Sequence, residues 1–155
     1  MKAVLVREGG ALFYEDFGDP VAGPGEVVVE LRAAAVNRRD LLIRNPPGPA
    51  YQFPLPLIPG SDGAGIRRDT GEEVVIYPGL AWGPREDAAG PDWRILGGPE
   101  NGTYAELVKV PEENVFPKRV GRPSDVASLV AHLMENTYFN GEVIRLDAGL
   151  RLSPR

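Results

Sequence analysis

Gly60-Ser61-Asp62-Gly63-Ala64-Gly65 is the stretch of this chain whose residue types come nearest to cradling a phosphate. A dinucleotide is held by a Gly-x-Gly-x-x-Gly turn that feeds a helix N-terminus, where backbone N–H groups meet the pyrophosphate. Here the glycines fall at 60, 63 and 65, which is the wrong spacing. Arg67 to Gly71 then reads as a polar turn and leaves no room for the helix. The motif occurs nowhere else in the 155 residues. The plain reading of these glycines is tight backbone packing at a bend. Hydride transfer needs a nicotinamide fixed in one pose, so the expectation is that this chain binds no cofactor of its own.

Metal chemistry is no better supplied. The chain has no cysteine and one histidine, His132. Disulfides and thiolate metal sites are therefore excluded. A catalytic zinc takes about three protein ligands, and none is expected here. His132 lies off the apolar stripe of its predicted helix and reads as solvent-facing. Asn37 and Asp40 flank a short helical candidate, where Asx side chains bond nearby backbone groups. Trp82 and Trp93 read as anchors of a long loop.

The elements that must position these residues are short and frequently interrupted. Nineteen glycines and sixteen prolines punctuate the chain, which predicts strands and turns rather than long helices. Ala3–Val6 and Leu12–Glu15 read as a hairpin around Gly9-Gly10. Glu26–Ala35 is an apolar, β-branched strand. Asn37–Arg44 predicts one or two helical turns, and the prolines from Pro46 to Pro59 forbid regular structure after it. Glu73–Tyr77 is a further strand, Pro78 to Gly102 a long loop, and Thr103–Val110 an alternating strand with Tyr104, Glu106, Val108 and Val110 on one side. Val115–Pro117 ends this half.

After Gly121 the period changes from 2 to 3.6. Pro123 suits the first helical position and Asp125 the first turn. Val126, Leu129, Val130, Leu133 and Met134 form one apolar stripe, and Glu142–Leu146 follows as a strand. A length of 155 residues holds one core, not a dinucleotide-binding domain plus a substrate domain. The net charge of −5 without a basic cluster argues against a nucleic-acid partner. No run approaches the roughly 20 apolar residues that span a bilayer, so no membrane partner is expected and the location is taken as cytoplasmic.

Residues 1 to about 118 resemble the catalytic domain of medium-chain dehydrogenases, in particular the quinone-oxidoreductase-like members. The resemblance rests on Pro24-Gly25-Glu26-Val27-Val28-Val29, Ala35-Val36-Asn37-Arg38-Arg39-Asp40, Pro56-Leu57-Ile58-Pro59-Gly60-Ser61-Asp62-Gly63, Gly102-Thr103-Tyr104-Ala105-Glu106 and Val110-Pro111-Glu112-Glu113-Asn114. These occur in family order and at near-family spacing. Residues 121–153 are similar to another family. Gly121-Arg122-Pro123-Ser124-Asp125-Val126-Ala127 and Asn140-Gly141-Glu142-Val143-Ile144-Arg145-Leu146-Asp147-Ala148-Gly149 look like the C-terminal end of short-chain dehydrogenases of the type-II 3-hydroxyacyl-CoA dehydrogenase group. The two patterns meet near Lys118–Gly121, which reads as the junction of a chimera; a gene fusion or a laboratory chimera would both produce it.

The resemblance implies a fold that is mainly β with one C-terminal helix (α+β): a GroES-like, partly open β-barrel whose helix and last strand come from the foreign tail. It divides the chain into 1–118 and a 119–155 segment packed on it. It implies that Asn37, Asp40, Ser61 and Asp62 line the substrate side of an inter-domain cleft. Two roles stay open for these four, positioning of a carbonyl or quinone and bracing of their own turns. Zinc-dependent relatives carry Cys where Asn37 stands and His-Glu where Ser61-Asp62 stand, which implies a zinc-free site. The Tyr-x-x-x-Lys of the short-chain family is absent.

Three functional readings follow. The chain is a dehydrogenase-derived domain without a nucleotide-binding domain and without independent activity. Alternatively it is a zinc-independent alcohol or quinone oxidoreductase whose NADP or NAD is held by a nucleotide-binding domain supplied in trans. A GroES-like interaction module is the third. A homodimer is expected through the exposed barrel face or the terminal strand.

Overall fold

The computed structural model describes residues 1–85 and 87–118. The chain divides into two units, Met1–Pro117 and Lys118–Arg155. The helix expected after Pro123 and the strand at Glu142–Leu146 lie outside the described residues.

The first unit is mostly β. Strands β1 (Lys2–Val6) and β2 (Leu12–Asp16) form the expected antiparallel hairpin, with Lys2 opposite Asp16 and Val6 opposite Leu12. A 3-10 turn at Glu8–Gly10 joins them. Gly10 has φ 74°, and a Cβ there would stand 2.3 Å from the Arg44 carbonyl oxygen. Only glycine accepts both the left-handed backbone and that contact.

Further elements are β3 (Glu26–Ala34), α1 (Arg38–Arg44), β4 (Gly63–Arg67), β5 (Glu73–Ile76), β6 (Gly79–Leu80), β7 (Arg94–Ile95), β8 (Leu107–Pro111) and β9 (Val115–Pro117). Five of the strands make one antiparallel sheet, ordered β8-β3-β4-β5-β9, curled into a half-barrel. Alternation sends Val27, Val29, Val74, Ile76, Val108 and Val110 to one side, where they pack with Leu80 and Leu96 as the main core. Burying each such side chain contributes about 1.5–3 kcal/mol. A smaller cluster of Ala3, Leu5 and Ile58 lies under β1.

Strand β4 departs from the expected bend. Its sequence, Gly63-Ala64-Gly65-Ile66-Arg67, has little β-branched character, so propensity alone does not reveal it. The strand forms because close approach requires its glycines. A Cβ on Gly65 would lie 2.0 Å from the Glu30 carbonyl oxygen, beside a register shift between Leu31 and Ala33. The Pro46–Pro59 stretch is irregular as expected, apart from a 3-10 turn at Pro49–Tyr51. The long loop from Pro78 carries the small β6–β7 pair. Its anchors are Trp82 and Trp93, packed edge to face at 5.8 Å.

The strand expected over Thr103–Val110 starts only at Leu107. The preceding residues hold other segments: Thr103 N–H bonds Gly60 O at 2.9 Å, Tyr104 N–H bonds Pro59 O at 3.1 Å, and Glu106 N–H bonds Lys2 O at 3.0 Å. Among the described residues, no helix is long and apolar enough to cross a membrane.

Candidate functional site

Helix α1 begins where the sequence places a cap. Asn37 has extended dihedrals, φ −116° and ψ 155°, and forms a capping box with Asp40 at the third helical position. The Asp40 carboxylate reaches back to accept the Asn37 N–H at 2.7 Å, satisfying a donor the helix leaves free. Arg44 closes the last turn, where the helix dipole favours a cation.

Asp40 is buried, with 8% of its surface exposed. Its Oδ2 takes the Asn37 N–H and the Tyr104 hydroxyl, the latter at 2.8 Å. Its Oδ1 takes the Gly60 N–H at 3.1 Å. A buried carboxylate is tolerated only when hydrogen-bonded in this way. One side chain therefore ties α1, the Pro59-Gly60 turn and the segment before β8. Burial, and then the hydrogen bond to Asp40, push the Tyr104 phenol above its ordinary value.

Ser61 is also buried, and its hydroxyl donates to Leu96 O at 2.9 Å. Asp62 Oδ2 accepts Asn37 Nδ2 at 2.6 Å. The Asp62 carbonyl accepts the Thr103 hydroxyl at 2.9 Å and the Ala35 N–H at 3.3 Å. Arg39 bonds the Leu96 carbonyl at 3.2 Å and the Gly98 carbonyl, and lies over the Phe53 ring at 5.8 Å. Burial lowers the pKa of its guanidinium.

All four residues singled out in the sequence thus meet in one region, but they divide into two pairs. Asp40 and Ser61 are spent on internal hydrogen bonds. Asn37 and Asp62 are half-buried and paired to each other. Among the described residues no donor bonds Asp62 Oδ1, so this oxygen can accept an O–H or N–H from a bound molecule. Sequence reasoning missed Tyr104, Thr103 and Arg39 as partners. Alternation groups Tyr104 with Val108 and Val110, but the strand starts only at Leu107 and Tyr104 packs with Ala3, Leu5 and Ile58, so that pattern does not reveal its role. Arg39 had no signal beyond lying between Asn37 and Asp40.

No group of three or more His, Cys, Asp or Glu among the described residues is placed to hold a metal. The parallel strand–helix–strand unit that cradles a dinucleotide is not among the described elements. Their sheets are antiparallel throughout. Two surface depressions of about 380 and 420 Å³ are lined by residues other than these four.

Residues 23–120 match the family described as the alcohol dehydrogenase GroES-like domain. Trans-enoyl reductase tazE of Aspergillus terreus is 30% identical over 118 residues, covering 74% of this chain and 38% of that protein. A crystal structure of an NAD-dependent alcohol dehydrogenase aligns with a TM-score of 0.67 at 39% identity, covering 76% of this chain and 39% of that one. A shorter match of 39 residues, 51% identical, is to 3-hydroxyacyl-CoA dehydrogenase type-2 of Bos taurus; it covers 25% of this chain and 15% of that protein. The chain spans less than two-fifths of the length of each of these relatives.

Proposed function

This chain belongs to the alcohol dehydrogenase GroES-like domain family, and from that premise we propose that it is the substrate-facing part of an alcohol- or enoyl-reductase-like enzyme, holding no dinucleotide and inactive alone. The observation that carries this reading is the Asn37–Asp62 hydrogen bond, which leaves Asp62 Oδ1 without a donor among the described residues, on a scaffold whose sheets are antiparallel. The pair can orient a hydroxyl or an N–H, but orientation without a reductant reduces nothing.

Within this reading, residues 1–118 descend from a medium-chain dehydrogenase and 119–155 from a short-chain one. The 39-residue similarity to 3-hydroxyacyl-CoA dehydrogenase type-2 supports the second origin. The absence of cysteine supports a zinc-free site. A homodimer belongs to the same reading, supported by the apolar surface of β2, where Leu12, Phe13 and Tyr14 are all exposed.

The test is a fluorescence titration of the full chain with NADPH and NADH. No saturable binding is the expected result, and micromolar affinity for either overturns the proposal. A second reading draws on the free acceptor of Asp62: the chain is a zinc-independent oxidoreductase whose nucleotide domain comes from another chain. It requires cofactor-dependent reduction of a quinone or enone that appears only when such a domain is added.

A further inference from the structure

A second depression, of about 380 Å³, lies between the Gly9-Gly10 turn and the C-terminal end of α1. That volume is in the range of small-molecule sites. Its floor includes Val6, Ile43 and Leu57, each at most 4% exposed. Tyr51 and Phe53 add aromatic wall. The lining contains two arginines, Arg7 and Arg44, and no acidic residue, although the whole chain carries a net charge of −5.

The two cations are not equivalent. Arg7 is committed to Glu15 through both Nε, at 3.0 Å, and Nη2, so its charge is already balanced. Arg44 is different. Its Nε donates to the Gly10 carbonyl at 3.0 Å, which fixes the plane of the guanidinium. Among the described residues no carboxylate forms an ion pair with it. The terminal nitrogens of Arg44 therefore form an oriented fork with no ion-pair partner among the described residues, at the edge of a depression of mixed polar and apolar lining. A planar carboxylate matches such a fork bidentately, and one available cation balances a single negative charge.

We propose that this depression binds a small monocarboxylate with an apolar body, Arg44 taking the carboxylate and the accessible faces of Tyr51, Phe53 and Leu55 taking the body. The site is independent of the Asn37–Asp62 pair, and no part of the proposed function depends on it.

Benzoate is the probe, titrated into the full chain and followed by ¹H–¹⁵N NMR. Saturable shifts centred on Gly9, Gly10, Arg44 and Asn45 are expected. Arg44→Gln should weaken binding about fivefold or more, because the charge-assisted pair is lost. Benzyl alcohol, equal in shape but neutral, should bind correspondingly more weakly. Leu55→Trp, which adds bulk to the lining and keeps the Arg44 side chain, should also reduce benzoate binding and keeps the test decisive if Arg44→Gln does not fold. Shifts that stay linear to about 50 mM, or equal binding of benzoate and benzyl alcohol, overturn the proposal.

Discussion

The Tyr104 hydroxyl stands 2.8 Å from Asp40 Oδ2, the same oxygen that accepts the Asn37 N–H at 2.7 Å. A residue 64 positions away in the chain thus fixes the carboxylate that starts α1. Capping of the helix and closure of the sheet region around Tyr104 are one interaction, not two.

Tyr104→Phe removes one of the three donors to Asp40 and leaves the packing of the ring in place. The expected cost is about 1–2 kcal/mol, read from the midpoint of urea unfolding. An unchanged midpoint would show that the phenol contributes packing alone.

Asp40→Asn should cost more, about 2–3 kcal/mol. Three donors converge on the carboxylate. An amide offers one acceptor oxygen and one NH₂, so either orientation turns the NH₂ toward a backbone N–H, of Gly60 or of Asn37. Urea unfolding again checks this, and an Asn variant as stable as the parent refutes the account.

The raised Tyr104 phenol sets a pH dependence at the alkaline end. Its folded value lies above the ordinary value of 10.0, so the folded chain retains a proton that the unfolded chain has lost. The contribution is complete below about pH 10 and declines as pH rises beyond it. Phenolate absorbance should contain a late-ionising component from Tyr104. That late component should vanish in Tyr104→Phe.

Gly65→Ala places a methyl group 2.0 Å from the Glu30 carbonyl oxygen. The nearest atoms are all backbone, of Glu30 and Leu31, so no flexible side chain can move aside. A loss of about 3 kcal/mol or more is expected, seen as loss of soluble protein or of a cooperative thermal transition. Gly71→Ala is the contrast: a Cβ there meets nothing within 4 Å, and only its φ of 75° is strained, so a smaller loss of about 1 kcal/mol is expected.

The proposed dimer is tested by light scattering across a concentration series. A dimeric mass is expected, and Tyr14→Lys, on the exposed face of β2, should lower it if β2 forms the contact. A monomeric mass at the highest concentration removes the dimer from the reading.

The hairpin, β3, β5 and the helix capped by Asn37 were legible in the residues themselves. Each rests on a local signal: alternation, turn glycines, or an Asx residue three positions before its partner. The four candidate site residues could also be named from their family spacing. Strand β4 could not, because its glycines serve a contact with Glu30, and no local pattern announces a neighbour more than thirty positions back. The division of the four residues was equally invisible. Burial and the convergence of Gly60, Asn37 and Tyr104 occupy both oxygens of Asp40, while Asp62 keeps one oxygen with no donor among the described residues. Local chemistry settles what a segment prefers to be. Only the packed chain settles which polar atoms are already satisfied, because their partners come from segments far apart in sequence.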